Sequence, residues 1–286
     1  MYDLKGRIAL ITGGGTGIGW MIAKGLAANG AKVYISGRRK EVLEKAAQSF
    51  QGEGTIIPLP MDVTSRESIS AAQKEIQSRE GRLHILVNNA GITGPVSRFL
   101  NNPSAPEHKD AETLGRALFE NESFESWTNV YSCNTFSAFF VTTAFLGLLA
   151  KGSDDKPGYT SNVVNITSIS SLMKLAQNHF AYNSTKAALS HLTKMMATEF
   201  ALKKIPVRVN AVAPGVYESE MTHLEITPDL VDKVSFGIHS VPLQRPGTAQ
   251  EAAGTVIYLA SPAGCFTNGQ EIAIDGGFLL VNPSVA

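Results

Sequence analysis

Short runs of aliphatic and β-branched residues alternate with helical stretches from one end of the chain to the other, and no other feature constrains the fold as strongly. The runs span residues 7–12, 31–36, 54–61, 83–88, 161–167, 206–213 and 270–275. Several are almost continuously apolar, Ile8-Ala9-Leu10-Ile11 and Ile85-Leu86-Val87 among them, as expected of strands covered on both faces. The stretch after the first run has the other period: Ile18, Met21, Ile22 and Leu26 mark one helical face, and Asn29-Gly30 ends it. This pattern predicts an α/β fold, a doubly wound parallel sheet of about seven strands with helices on both faces. No repeat or low-complexity linker divides residues 1–286, so a single domain is expected.

Two segments interrupt the rhythm. Residues 94–123 hold Asn101-Asn102-Pro103-Ser104-Ala105-Pro106 and then a helical acidic stretch, 112–122. Inserted segments of this length are usually functional, and this one is expected near the mouth of the site. Residues 151–160 are polar and contain Gly and Pro, and are expected to be a surface excursion without chemistry. The apolar run 136–150 carries Ser137, Thr142 and Thr143 and is shorter than a bilayer requires, which predicts a buried helix.

Lys plus Arg and Asp plus Glu each total 25, so the formal net charge is zero. A neutral chain without a basic tract lacks the positive field of a nucleic-acid or anionic-membrane binder. Two cysteines, Cys133 and Cys265, are too few for a disulfide scaffold, and the six histidines show no ligand spacing, so no metal is expected. Residues 1–7 are polar and unlike a secretory signal, and the expected location is the cytoplasm.

Directly after the first run stands Thr12-Gly13-Gly14-Gly15-Thr16-Gly17-Ile18-Gly19, opening a helix. A tight strand-to-helix turn of this kind leaves room for a pyrophosphate against backbone N–H groups at a helix N-terminus. The second run ends Ser36-Gly37-Arg38-Arg39, without the carboxylate that NAD readers usually place there to bind ribose hydroxyls. Arg38 and Arg39 suit a 2′-phosphate, which favours NADP(H) over NAD(H). Further on, Tyr182 and Lys186 lie four residues apart in a helical stretch and so share a face. Lowering a phenol by about 3 pKa units takes roughly 4 kcal/mol. One ammonium about 4 Å away supplies about that much, so an acidified Tyr182 is expected.

With these features in place the chain resembles the short-chain dehydrogenase/reductase family, in its single-domain, Rossmann-like branch. The glycine motif falls on Gly13, Gly17 and Gly19, with Gly15, Thr16 and Ile18 between them, and Asp62-Val63 stands after the third strand. Asn88-Asn89-Ala90-Gly91 closes the fourth, Ser168 follows the fifth, Pro214-Gly215 the sixth and Asp275-Gly276-Gly277 the seventh. The resemblance implies Tyr182 as general acid in reduction and base in oxidation, Lys186 as the group that tunes it and binds the nicotinamide ribose, and Ser168 as donor to the substrate oxygen. Asn134 would hold a proton-relaying water. Asp62, Val63, Asn89, Ala90, Gly91, Pro214, Gly215, Val216 and Ser219 would join the cofactor site.

Several residues depart from the family pattern. Ser168 and Tyr182 are 14 positions apart, about one more than expected; His84 stands at a usually acidic position and is read as a surface contact; Glu218 and Glu220 are unusual. The substrate pocket is expected to gather Ser170, Met173, His179, Phe180, Tyr217, Met221 and Phe99, a mix that suits an apolar carbonyl compound. The expected activity is NADP(H)-dependent interconversion of a ketone or aldehyde with its alcohol, in a homo-oligomer, tetramer or dimer, with no nucleic-acid or membrane partner. Two alternatives stay open: reduction of a 3-oxoacyl thioester, and a non-catalytic NADP-binding sensor or scaffold.

Overall fold

The computed structural model describes residues 2–154, 156–220, 222 and 226–285. Seven strands occupy the seven expected places: β1 (Ile8–Thr12), β2 (Lys32–Gly37), β3 (Thr55–Pro60), β4 (Ile85–Asn88), β5 (Ser161–Ile166), β6 (Val207–Pro214) and β7 (Glu271–Ile274). They form one sheet in the order β3-β2-β1-β4-β5-β6-β7, every neighbouring pair parallel. Helices α1 (Gly17–Ala28), α2 (Lys40–Ser49), α3 (Arg66–Glu80), α4 (Ala111–Asn121), α5 (Phe124–Tyr131), α6 (Ser137–Ser153), α7 (Phe180–Leu202), α8 (Pro228–Ser235), α9 (Ala249–Ala260) and α10 (Phe278–Val281) complete the chain.

The period-two alternation of the strands sorts the core into two layers. Ala9, Ile11, Val33, Ile35, Ile85, Val87 and Val164 face α1 and α9 through Ile22, Leu26, Val256 and Leu259. Leu10, Tyr34, Leu86, Val163 and Val209 face α3, α6 and α7 through Ile76, Phe145, Met196 and Phe200. Chain order reverses between β1 and β4, and at such a switch point the strand C-termini leave a crevice.

Three expectations need correction. His84 is 0% exposed; it precedes β4, between β1 and β5, and its Nδ1 accepts the Ile8 N–H at 3.0 Å. The excursion 151–160 is anchored at both ends: α6 runs on to a buried Ser153 whose Oγ accepts the Ser161 N–H, and Tyr159 is buried beneath the Arg7 guanidinium, 3.7 Å from the ring centre. The apolar run 136–150 is longer than expected, because α5, a π turn at Ser132–Phe136 and α6 form one continuous helix, Phe124–Ser153. By length and composition it suits a bilayer, yet half of its most apolar window is buried inside the protein.

Within 94–123, α4 is capped by Asp110, which accepts the Thr113 N–H at 2.8 Å, and none of its residues is buried. The segment is tied to the turn before α7: the Ser97 and Asn101 N–H groups donate to Asn178 O and Oδ1 at 2.8 and 3.1 Å. Gln177 and Asn178 are both left-handed (φ 52° and 67°), and this turn lies within the long Ser168–Tyr182 spacing.

Candidate active site

A cleft of about 890 Å³ opens along the C-terminal ends of the strands. Its floor at β1 is the glycine turn. Gly13 adopts φ +63°, and a Cβ there would meet Ala90 Cα at 3.0 Å. A Cβ at Gly19 would come within 2.4 Å of the Asn89 amide, so Gly19 allows α1 to seat against the turn without lining the cleft. Asn89 locks the arrangement by donating to Thr12 O and Gly13 O at 2.9 and 3.0 Å. The Thr12 hydroxyl accepts the N–H groups of Asn89 and Ala90.

Gly13, Gly15, Thr16, Gly17, Ile18, Arg38, Arg39, Asp62 and Val63 line one half of this cleft, and Asn89, Ala90, Gly91, Pro214, Gly215, Tyr217 and Ser219 continue along it. Hydrogen bonds from Thr64, with help from the Arg38 charge, hold the Asp62 carboxyl below its usual range. Arg39 is engaged: its guanidinium meets Glu220 Oε2 at 2.7 Å, and Thr16 Oγ1 donates to the same oxygen at 3.2 Å. Elongated, floored by glycines and edged by guanidinium groups, the cleft fits a dinucleotide.

Ser168, Tyr182 and Lys186 line the same cleft. Ser168 caps the short 3-10 turn Ile169–Ser171, its Oγ accepting the Ser170 N–H at 3.1 Å. That bond leaves the hydroxyl proton free to donate elsewhere. Lys186 is 4% exposed; its Nζ donates to Ile166 O at 2.8 Å and lies 5.7 Å from the Tyr182 ring centre. Burial raises the Tyr182 phenol, while its hydrogen bond with Ser168 draws it down. Burial also lowers Lys186 to about 8. The expected acidification of Tyr182 by Lys186 therefore does not hold in this structure. Both groups are desolvated, a cost that a Coulomb estimate between two charges leaves out.

Asn134 is 2% exposed and does not line the cleft with its amide. That amide pairs with the Ile92 backbone in both directions, at 2.8 and 2.9 Å, and donates to Thr185 Oγ1 at 3.1 Å. It thus joins the loop after β4 to the Tyr182–Lys186 helix, from within the π turn. Ser170 donates to Gln177 and lies off the cleft. Val216 packs with a satellite cluster that also contains Met173. His179 stacks edge-on against Tyr182 at 6.3 Å, Phe180 is exposed on the first turn of α7, and neither they nor Phe99 line the cleft. Met221 lies outside the described residues.

Ile92, Thr93, Asn129, Ser132, Cys133 and Tyr217 line the same cleft, a mixed rather than apolar surface. Burial raises the Cys133 thiol. Asn129, Ser132 and Cys133 stand at helical spacings of three and four, a signal present in the sequence that the family motifs do not include. No residue of 94–123 lines the cleft; the segment is tied to the turn before α7 by the Asn101–Asn178 bond.

A family model described as enoyl-(acyl carrier protein) reductase matches residues 13–279. The chain is 38% identical to the short-chain dehydrogenase/reductase PhomF of Diaporthe leptostromiformis, across 99% of this chain and 95% of that protein. It is 34% identical to the rhamnolipids biosynthesis 3-oxoacyl acyl-carrier-protein reductase of Pseudomonas aeruginosa, across 98% of both. Among solved structures, a Pseudomonas aeruginosa RhlG/NADP active-site complex superimposes with a TM-score of 0.80 at 30% identity, covering 97% of this chain and 98% of that one. An NADPH-dependent 3-quinuclidinone reductase from Rhodotorula rubra gives 0.75 at 26% identity, covering 98% and 94%. The cleft, its Ser-Tyr-Lys wall and these likenesses agree: the chain belongs to the short-chain dehydrogenase/reductase family of oxidoreductases.

Proposed function

We propose that the whole chain acts as one dinucleotide-binding and catalytic unit, an NADP(H)-dependent reductase of ketones or aldehydes that also runs in the alcohol-oxidising direction. One observation carries this reading: Ser168, Tyr182 and Lys186 face the same cleft that Arg38 and the glycine turn border at its other end. The bound nicotinamide supplies or accepts the hydride. Ser168, its Oγ already accepting the Ser170 N–H, donates to the substrate oxygen, where negative charge develops. Tyr182 gives its phenolic proton to that oxygen in reduction and takes it back in oxidation. Lys186 holds a proton near neutral pH and returns it to the phenol. Asn134, from the π turn, keeps the loop after β4 in register with the Tyr182 helix.

Exposed Phe136, Phe139 and Phe140 on the long helix and Met195 on α7 support assembly into a homo-oligomer, in the cytoplasm. A second reading, reduction of a 3-oxoacyl thioester, is favoured by the likeness to the Pseudomonas 3-oxoacyl acyl-carrier-protein reductase.

The test is NADPH oxidation over a panel of ketones, aldehydes and a 3-oxoacyl thioester. Tyr182→Phe is expected to cut turnover by about 10³-fold while leaving NADPH binding intact. Inertness toward the whole panel, or a Tyr182→Phe variant as fast as the parent, would refute catalysis. A preference for the thioester would select the second reading.

A further inference from the structure

Behind the wall of the cleft, Glu271 collects three hydroxyl groups. It opens β7, on the sheet face covered by α7, and does not line the cleft. Thr167 Oγ1 donates to its Oε1 at 2.7 Å and shares its proton with Val212 O. Ser171 Oγ reaches the same oxygen at 3.0 Å and also donates to Ser168 O at 2.6 Å. Ser190, one helical turn beyond Lys186, donates to Oε2. Thr167 and Ser171 bracket Ser168 on both sides; Ser190 belongs to the helix that carries Tyr182 and Lys186.

We infer that Glu271 is a positioning residue, which fixes the Ser168 turn against the Tyr182–Lys186 helix without touching substrate or cofactor. The inference rests on the catalytic reading above. A carboxylate suits the task because both oxygens only accept, so hydroxyls flanking Ser168 and one on α7 can all donate to a single group. The hydroxyls then tie the Ser168 turn and α7 to one rigid group at the start of a strand. Ser168 and Tyr182 must meet one substrate oxygen together, and displacement on the ångström scale is enough to slow such a step. Glutamine keeps an oxygen acceptor for Thr167 and Ser171 and presents an amide to Ser190, which turns its hydroxyl to accept. Valine keeps none of this.

The test compares Glu271→Val, Glu271→Gln and Ser190→Ala by steady-state kinetics, NADPH affinity, thermal stability and amide hydrogen exchange over residues 168–172. In Glu271→Val, kcat is expected to fall by about tenfold or more, with KM and NADPH affinity little changed and exchange over 168–172 accelerated. Glu271→Gln should recover most of the loss. If the valine variant does not fold, Ser190→Ala carries the test, with the same pattern at smaller amplitude. Unchanged kcat and exchange, or a kcat that drops only in step with NADPH affinity and stability with no recovery in the glutamine variant, would overturn the inference. Were the parent protein inert toward every carbonyl, the catalytic reading would fail, and the exchange measurement alone would decide whether Glu271 orders the Ser168 turn.

Discussion

The two ends of the parallel sheet treat buried cations in opposite ways. Where the strands begin, Arg208 on β6 is 5% exposed. Its guanidinium is spent on Thr160 Oγ1 and on the carbonyls of Thr160, Leu259, Gly264 and Thr267, at 2.8–3.2 Å. Around it Asn162 donates to Leu259 O, and Asn210 to Asn162 Oδ1 and Thr267 O. Where the strands finish, Lys186 is just as buried, yet among the described residues its ammonium has one hydrogen-bond acceptor, Ile166 O. Burial lowers both cations from their ordinary values. They differ in what is left over. A cation whose donors are all matched within the fold stabilises it, whereas one with donors still in hand keeps a desolvation cost that only a ligand offsets.

The largest effect should come from the saturated end. Arg208→Met removes the five hydrogen bonds of a buried guanidinium and is expected to cost about 3 kcal/mol, or roughly 6–12 °C in Tm for a chain of this size. The kcat of the folded variant should stay at the parent value. Urea unfolding beside turnover measures both, and a variant as stable as the parent would break the contrast.

Lys186→Met should act the other way round, abolishing turnover while stabilising the fold. Burial puts Lys186 at about 8, below the 10.5 of a solvated lysine. Between those values the unfolded chain holds a proton that the folded chain has released, so the parent gains stability as pH rises through that window. Below it the charging penalty is present in full, on the order of 3 kcal/mol. The variant should therefore exceed the parent by about 1–3 kcal/mol at pH 7, the margin shrinking toward pH 10.5. Equal unfolding midpoints at pH 7 would mean that the ammonium is compensated inside the fold after all.

The same contrast explains how much of the molecule is legible in its sequence. The seven strands are, because parallel strands buried on two faces must be continuously apolar, and the glycine turn is, because backbone close to a phosphate leaves no room for a Cβ. Tyr182 and Lys186 are legible because both lie on one helix, where spacing fixes their face. Arg208 is not, since the carbonyls of Leu259, Gly264 and Thr267 that justify it lie about 50 to 60 positions away. His84 fails for the same reason: nothing local tells that its ring receives the Ile8 N–H. Glu271 draws its partners from the Ser168 turn and from α7. Val216, expected at the cofactor, and Ser170 and Met173, expected at the substrate, turn elsewhere, because the packing of the loops after β5 and β6 decides which side chains face the cleft.

Among the exposed cations at the cofactor end the comparison recurs on a smaller scale. Arg39 is committed to Glu220, and that ion pair raises its pKa. Arg38, exposed on the same rim, contributes its charge toward Asp62. If uncommitted donors are what a ligand uses, Arg38 rather than Arg39 is the main reader of a 2′-phosphate. Arg38→Ala should then weaken NADPH about tenfold or more, about 1.4 kcal/mol, and leave NADH nearly unchanged. Arg39→Ala should cost less, because that guanidinium is already held by Glu220, and Glu220→Gln should tighten NADPH by releasing Arg39 for the phosphate. Fluorescence titration of both dinucleotides against the three variants separates these outcomes. Losses in Arg38→Ala that are equal for NADPH and NADH would mean that this guanidinium serves the adenosine as a whole, and the link between spare donors and ligand would fail at the surface even if it holds in the core.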